Sequence, residues 1–326
     1  MRVNFKSIWR VLRDTAKGWI SSDPFRESAV ISYYAIFSIP GLLIIVIWTA
    51  GIFFGQEAVR GEISAQVGDM MGATAAKGVE SMIKSAALDH SNFIMKLIGI
   101  GTLIFGATTL FFQLQKSLNN IWDVEPAPNN NLKKFIYDRA YSLGLILVIA
   151  FLLLITLVLS AIISWISNWI ENNFGEYLLY LVQVVNFVIA LGIVTCLFAV
   201  MFKVLPDVEI GWRSVWVGAL VTALLFSIGK TLLGLYFGVA DPTSGFGAAG
   251  TIILVIMWVN YTCLILFFGA EFTQVFARKY RHRIEPSKHA KWSANYILHQ
   301  QQLEEAAEEE KKEQAERQTV KHKPTK

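Results

Sequence analysis

The sequence LLYLVQVVNFVIALGIVTCLFAVMF, which runs from Leu178 to Phe202, contains no charged residue. As an α-helix it would extend about 37 Å, because each residue adds about 1.5 Å. The hydrocarbon core of a bilayer is about 30 Å thick, so this stretch is long enough to cross it. It therefore predicts a membrane-spanning helix.

Five further apolar runs of similar length occur along the chain. They cover residues 29–54, 94–114, 142–168, 213–238 and 250–276. Charged residues make up 17% of the chain, whereas soluble domains carry about 25%. Since lipid cannot hydrogen-bond to an exposed backbone, we expect the runs to be helices. The sequence predicts an all-α, polytopic six-helix transmembrane bundle and disfavours a water-soluble enzyme.

Lys and Arg are concentrated in alternate connecting segments. They are frequent before the first run, between the second and third, around the fourth-to-fifth connection, and after the sixth. The connections at residues 169–177 and 239–249 contain neither. Cytoplasmic loops of membrane proteins carry an excess of Lys and Arg. This multi-pass chain is therefore predicted to have both termini in the cytoplasm.

Composition divides the chain into three segments. Residues 1–28 form a basic amphipathic segment, which we expect to lie in the membrane interface or to pack on the protein itself. Residues 29–277 form the six-span membrane domain. Residues 278–326 form a polar cytoplasmic tail, in which Gln300–Gln318 is expected to be a frayed helix or disordered.

Two features interrupt the simple pattern of spans. The loop at residues 56–93 has apolar residues at helical spacing and predicts two amphipathic extracytoplasmic helices broken near Gly72. We expect them to lie on the outer membrane surface or to cap the bundle. Pro40 lies inside the first run, where its missing backbone donor predicts a kink or a broken helix.

Polar side chains inside the spans are candidates for function, because the bilayer penalises them. Lys230 lies about 12 Å from the outer end of its run, and Asn260, Asn186 and Gln183 are expected at a similar depth or nearer the outer face. They could line an outward-open cavity in which Lys230 binds an anionic group. Alternatively, Lys230 snorkels to the interface and the amides bond across helices.

The sequence contains no pattern for a metal, a cofactor or a nucleic acid. Cys196 and Cys263 fall inside apolar runs, and the five His residues are dispersed. Gly245 and Gly247 lack the Lys-Ser/Thr ending of a phosphate-binding loop, so we expect a tight outer turn there. The basic residues flank apolar runs, which membrane topology explains without nucleic acid.

Several local motifs together resemble one family, the YihY/BrkB-like bacterial inner-membrane proteins that were once labelled ribonuclease BN. The motifs are Ser32-Tyr33-Tyr34-Ala35, Ser38-Ile39-Pro40, Leu118-Asn119-Asn120-Ile121-Trp122, Leu205-Pro206-Asp207, Ser244-Gly245-Phe246-Gly247-Ala248 and Gly269-Ala270-Glu271. The resemblance covers residues 25 to 277. It implies a bacterial cytoplasmic (inner) membrane location and an envelope-related role. It also marks Pro40, Pro206, Asp207, Gly245, Gly247 and Glu271 as motif residues with structural roles.

Two functions are consistent with these observations. The first is translocation or handling of lipid or another amphiphile, with Lys230 neutralising a headgroup phosphate. The alternative is a non-transporting membrane scaffold or adaptor. In both cases we expect no enzyme activity, and the expected partners are membrane lipids, envelope proteins or a second copy of the chain. A metal-dependent nuclease is disfavoured, because the sequence lacks clustered His and carboxylate ligands.

Overall fold

The computed structural model describes residues 5–86, 93–127, 177–240, 249–280 and 284–321. The third apolar run, residues 142–168, and the motif glycines Gly245 and Gly247 lie outside this described part. Within it the chain is mostly helical, as the sequence predicts.

Nine helices are described, and five of them cover apolar runs. In chain order they are α1 (Phe5–Ser21), α2 (Pro24–Phe54), α3 (Gln56–Met71), α4 (Ala73–Ala86), α5 (Phe93–Ile121), α6 (Tyr177–Val204), α7 (Trp212–Ala240), α8 (Gly250–Lys279) and α9 (Ala294–Lys321). Four of the described helices, α2, α6, α7 and α8, are long and apolar enough to cross a membrane. α5 covers the second apolar run.

α2 is a continuous helix that passes through Pro40. Of the two predicted alternatives, a kink or a break, the broken helix is therefore not observed. Proline removes one backbone hydrogen bond, but a full break in lipid would leave several backbone groups without partners. The flanking Ser38 and Gly41 are buried, so neighbouring helices hold this part of α2 in place.

α7 and α8 are joined by a reciprocal contact between glycine and threonine. A Cβ added to Gly218 would collide with the hydroxyl of Thr273, and one added to Gly269 would collide with the hydroxyl of Thr222. Each hydroxyl donates to the carbonyl of the glycine four residues earlier in its own helix, at 2.7 Å. The absence of a side chain at Gly218 and Gly269 thus lets the helices approach closely.

α3 and α4 form a helical hairpin that turns at Gly72, whose φ is 88°. The two helices and the break between them agree with the sequence prediction. The hairpin packs on α2 through Val59 and Ile63 of α3 and Val79 and Ile83 of α4. It also reaches α8, since a Cβ on Gly78 would collide with Thr251.

The described chain also contains four short strands that the sequence did not predict. They are β1 (Val124–Pro126), β2 (Val208–Ile210), β3 (Ile284–Pro286) and β4 (Ala290–Trp292). β1 pairs antiparallel with β4, and β2 with β3. The segment after α8 therefore returns to the ends of α5 and α6, and α9 begins only beyond it. The Gln300–Gln318 tract, for which the sequence left a frayed helix or disorder open, is helical in the structure.

The largest buried cluster brings together α2, α5, α6, α7 and α8 with β1 and β2. Trp122, Phe202 and Phe267 are fully buried within it. α1 packs beside this cluster on α8, where Trp19 Nε1 donates to the carbonyl of Leu264 at 3.2 Å. Trp9 and Ile20 of α1 remain 65% exposed, so one helix both packs on the protein and presents apolar side chains outward.

Substitution of Gly218 by Leu is expected to destabilise the protein, because the side chain meets Thr273 at the closest approach of α7 and α8. Overpacking typically costs about 1–3 kcal/mol. Gly234→Leu on the same helix is the matched control, since a Cβ there meets no atom within 4 Å. Thermal unfolding in detergent should show a lower midpoint for Gly218→Leu alone; equal midpoints for the two variants would contradict this packing.

Candidate functional site

The polar residues predicted from sequence to form a site lie on three helices. Lys230 is half-buried in α7, and Asn186 is exposed on α6. Asn260 of α8 donates from Nδ2 to Oγ of Ser28 in α2, at 3.1 Å. Gln183 lies in α6, and its side chain is outside the described residues. No described hydrogen bond joins Lys230, Asn186 and Asn260, so their shared cavity stays a prediction.

A different polar cluster surrounds Asp207, which follows the buried Pro206 in the turn between α6 and α7. Asn119 of α5 donates from Nδ2 to Asp207 Oδ2 at 2.9 Å, and its Oδ1 accepts from the Asp207 backbone N–H at 2.8 Å. Gln115 Nε2 donates to the second carboxylate oxygen at 3.2 Å. Two amides thus hold one carboxylate, because α5 presents residues four apart on the same side.

Asp123 forms a second junction, just after α5. Its φ of 56° is left-handed, a conformation that Asp adopts more readily than most residues. Its carboxylate accepts from Arg278 at 2.8 Å and from Gln274 Nε2 at 3.3 Å. Gln274 Nε2 also donates to the carbonyl of Ile121 at 2.8 Å. The end of α5 is therefore tied to the last two turns of α8.

The returning chain bonds to both of these aspartates. The backbone N–H of Ser287 donates to the Asp207 carbonyl at 3.0 Å, and that of Ser293 to the Asp123 carbonyl at 2.7 Å. Each aspartate therefore holds a helix end with its side chain and the segment after α8 with its backbone.

The start of α2 is tied to α5 as well. Ser117 donates to Glu27 Oε2 at 2.7 Å, and Arg26 pairs with the other oxygen at 3.3 Å. Nearby, Glu271 of α8 is buried. A Cβ added to Gly18 of α1 would collide with its carboxylate, so the absence of a side chain at Gly18 leaves room for it.

We call these groups the end network, since they gather the start of α2 and α7 and the ends of α5, α6 and α8. Its members are Glu27, Gln115, Ser117, Asn119, Asp123, Asp207, Gln274 and Arg278. Its carboxylates already accept hydrogen bonds from protein donors. Within the described residues, no group of three His, Cys, Asp or Glu side chains could hold a metal ion. The arrangement positions helix ends and presents no activated nucleophile.

Sequence reasoning found part of the end network. It marked Asp207 as a motif residue and quoted Asn119 within a second motif. It missed the contacts of the other six members, among them Gln115, Asp123 and Gln274. Asn119 and Asp207 are 88 residues apart, so no local spacing reveals their contact. The sequence did hold one signal: the two polar motifs that contain Asn119 and Asp207 follow spans whose ends are both predicted to face the cytoplasm.

Comparison with known proteins gives consistent matches over most of the chain. The model of the family described as Virulence factor BrkB matches residues 16–294. A UPF0761 membrane protein from Verminephrobacter eiseniae is 27% identical over 70% of this chain and 52% of its own length. One from Psychromonas ingrahamii is 25% identical over 74% of this chain and 79% of its own length.

A UPF0761 membrane protein from Pseudomonas aeruginosa is 22% identical over 83% of this chain and 63% of its own length. The chain thus spans about half of the first of these relatives and a larger part of the others. No solved structure matches the chain. The matched region includes the end network and Lys230.

Removal of the Asn119 amide should destabilise the junction at Asp207. Asn119→Ala leaves a carboxylate oxygen and a backbone N–H without their partner, which typically costs about 1–3 kcal/mol. The adjacent Asn120, which is exposed, provides the matched control as Asn120→Ala. Thermal unfolding followed by tryptophan fluorescence should separate the two variants. An Asn119→Ala protein as stable as Asn120→Ala would remove the energetic role assigned to this amide.

Proposed function

This chain is a membrane protein of the BrkB family, and we propose that it crosses the bacterial inner membrane several times and handles lipid or another amphiphile. The observation that carries the proposal is Lys230, a half-buried ammonium group inside the candidate span α7. Among the described residues it has neither a hydrogen bond nor an ion pair. The proposed role is therefore to bind an anionic headgroup, and it involves no enzymatic step.

The aromatic residues exposed on α7 support a depth for Lys230 inside the apolar zone of the proposed span. Trp216 and Tyr236 are exposed near the two ends of the helix. They are 20 residues apart, which corresponds to about 30 Å and to the usual separation of interfacial aromatic residues. Leu224, Ile228, Leu232 and Leu235 are exposed between them. Lys230 lies about 9 Å inside the level of Tyr236.

A cation at this depth needs a compensating interaction. Insertion scales assign about 2.5–3.5 kcal/mol to a Lys at the centre of a span. A lipid phosphate could accept charge-assisted hydrogen bonds from the ammonium group and offset that cost. Snorkelling of the side chain to the nearer interface is the alternative. A snorkelled ammonium group would be hydrated at the interface and would hold no lipid through detergent extraction, which makes the two alternatives separable.

The proposed topology has six crossings with both termini in the cytoplasm. α2, α5, α6, α7 and α8 would be five of them, and residues 142–168 the sixth. The end of the bundle that contains the end network also carries basic residues at the helix ends. They are Arg26, Lys203, Arg213, Arg278 and Lys279. The excess of positive charge at cytoplasmic ends supports this orientation.

Lys230→Ala and Lys230→Glu should reduce the anionic phospholipid that copurifies with the detergent-extracted protein. We expect the amount of anionic lipid bound to fall about tenfold, which corresponds to about 1.4 kcal/mol, because its cationic partner is lost. Lys230→Arg keeps the charge and should retain the lipid. Thr231→Ala, at the next position and exposed, is the control. Lipid can be quantified by mass spectrometry against protein; an unchanged ratio of anionic to zwitterionic lipid in all variants would contradict headgroup binding.

A scaffold or adaptor is the second candidate, and α9 is the observation that favours it. The side chains described from Ile297 to Glu309 are exposed, including Ile297, Leu298 and Leu303. A 28-residue helix that buries so little within its own chain is available to an envelope protein or a second copy. No nucleic acid is required by either candidate function.

Truncation after Tyr296 distinguishes the two candidates. It removes the exposed part of α9 but keeps β3, β4 and Tyr296, whose ring stacks on Trp292 at 4.4 Å, so the melting midpoint should stay within about 2 °C of the full chain. Truncation after Tyr280 removes both strands and should lower it. If the Tyr296 truncation fails to complement the envelope defect of a strain lacking the protein while Lys230→Ala succeeds, the scaffold is favoured. The reverse result favours lipid handling.

A further inference from the structure

The α3–α4 hairpin lies alongside a long part of α2. Val59 and Ile63 of α3 share a buried cluster with Ala50 of α2. At the turn of the hairpin, Met71 and Ala75 belong to a second cluster, against which Ile39 of α2 packs. From Ala50 to Ile39 is about 16 Å along α2. The turn at Gly72 therefore lies about 16 Å below the level at which α3 begins to pack on α2.

Another side of α2 presents apolar residues over the same height. Phe37 is 64% exposed and Trp48 is 41% exposed, and Ile52 and Phe53 follow with 80% and 76%. Large apolar groups at these exposures form a patch that water penalises and lipid does not. Because α2 is also a candidate span, its exposed side chains fit contact with lipid up to Phe53.

The hairpin presents the opposite chemistry at that height. The exposed positions of α4 include Thr74, Lys77, Glu80 and Ser81. Lys84 Nζ lies 2.7 Å from Glu80 Oε1. This ion pair and the hydroxyl groups of Thr74 and Ser81 make the exposed face of α4 strongly polar. Ionised groups facing lipid would be costly, so this face requires water.

We propose that α3 and α4 form a re-entrant hairpin whose polar face lines a water-filled recess, while the exposed side of α2 meets lipid at the same height. The recess opens beyond the end of α2 and extends about 16 Å toward the middle of the bilayer. Irregular backbone such as that at Gly72 occurs at membrane depth where it is buried in protein or borders water. This differs from a hairpin that lies on the outer surface.

The recess brings water and lipid to two sides of one helix. An amphiphile there could keep its headgroup hydrated beside α4 and its chains in lipid beside α2. The residues that support the recess lie on α2, α3 and α4, so it does not depend on a role for Lys230.

Single cysteines test the recess directly. In a Cys196→Ala, Cys263→Ala parent, cysteines replace Thr74, Lys77 and Ser81 on the hairpin and Trp48 and Ile52 on α2. Glu57→Cys marks the outer end of α3, where the native side chain is 88% exposed. Membrane vesicles of each orientation are treated with a charged, membrane-impermeant maleimide. Circular dichroism and gel filtration confirm that each variant matches the parent.

The three hairpin cysteines should react from the same side as Glu57→Cys and at comparable rates. The two α2 cysteines should react at least about tenfold more slowly, because the reactive thiolate does not form in lipid. Equal reaction at Trp48→Cys, Ile52→Cys and Lys77→Cys would mean that the hairpin is a cap outside the bilayer, which overturns the proposal. Slow reaction at all three hairpin positions beside a reactive Glu57→Cys would mean a covered face, which also overturns it.

Discussion

The structure depends on one constraint: in lipid, every polar backbone group must find its partner within the protein. Long helices meet this requirement, and the hydroxyl groups inside them follow the same rule. Several of the described Thr side chains bond to a carbonyl four residues earlier in their own helix, at 2.7–3.1 Å. They include Thr49, Thr108, Thr109, Thr195, Thr222, Thr231 and Thr273. Because these hydroxyl groups bond within their own helices, α7 and α8 contact each other mainly by close packing, as at Gly218.

Side-chain hydrogen bonds between distant parts of the chain are concentrated at one end of the bundle instead. Asp207 and Asp123 each combine a carboxylate held by another helix with a carbonyl held by the returning chain. Hydrogen bonds to a charged group are stronger than neutral ones, and the buried amides of Asn119 and Gln274 supply part of those that hold the two carboxylates. The end network therefore brings together Asn119 and Asp207, two of the motif residues singled out from the sequence. Lys230 and the α3–α4 hairpin lie elsewhere, and they carry the functional proposals.

Much of the secondary structure could be predicted from the sequence because it depends on local pattern. The described apolar runs are helices, and the hairpin breaks at Gly72 as its sequence indicates. Small residues inside the spans behave less uniformly: a Cβ on Gly106 would meet the carbonyl oxygen of Phe37 at 3.3 Å, whereas one on Gly234 would meet no atom within 4 Å. Small residues permit close approach, but the position of the neighbouring helix decides whether it happens.

The sequence by itself determined that the chain belongs in a membrane, since run length and composition depend on each residue's own preference for lipid or water. It also identified Lys230 as an exception to that preference. Only the tertiary structure decided that Asn260 contacts Ser28, that Asn119 holds Asp207, and that β3 and β4 return to the bundle. These contacts join residues far apart in the chain. Their energy depends on mutual geometry, which no local pattern of residues contains.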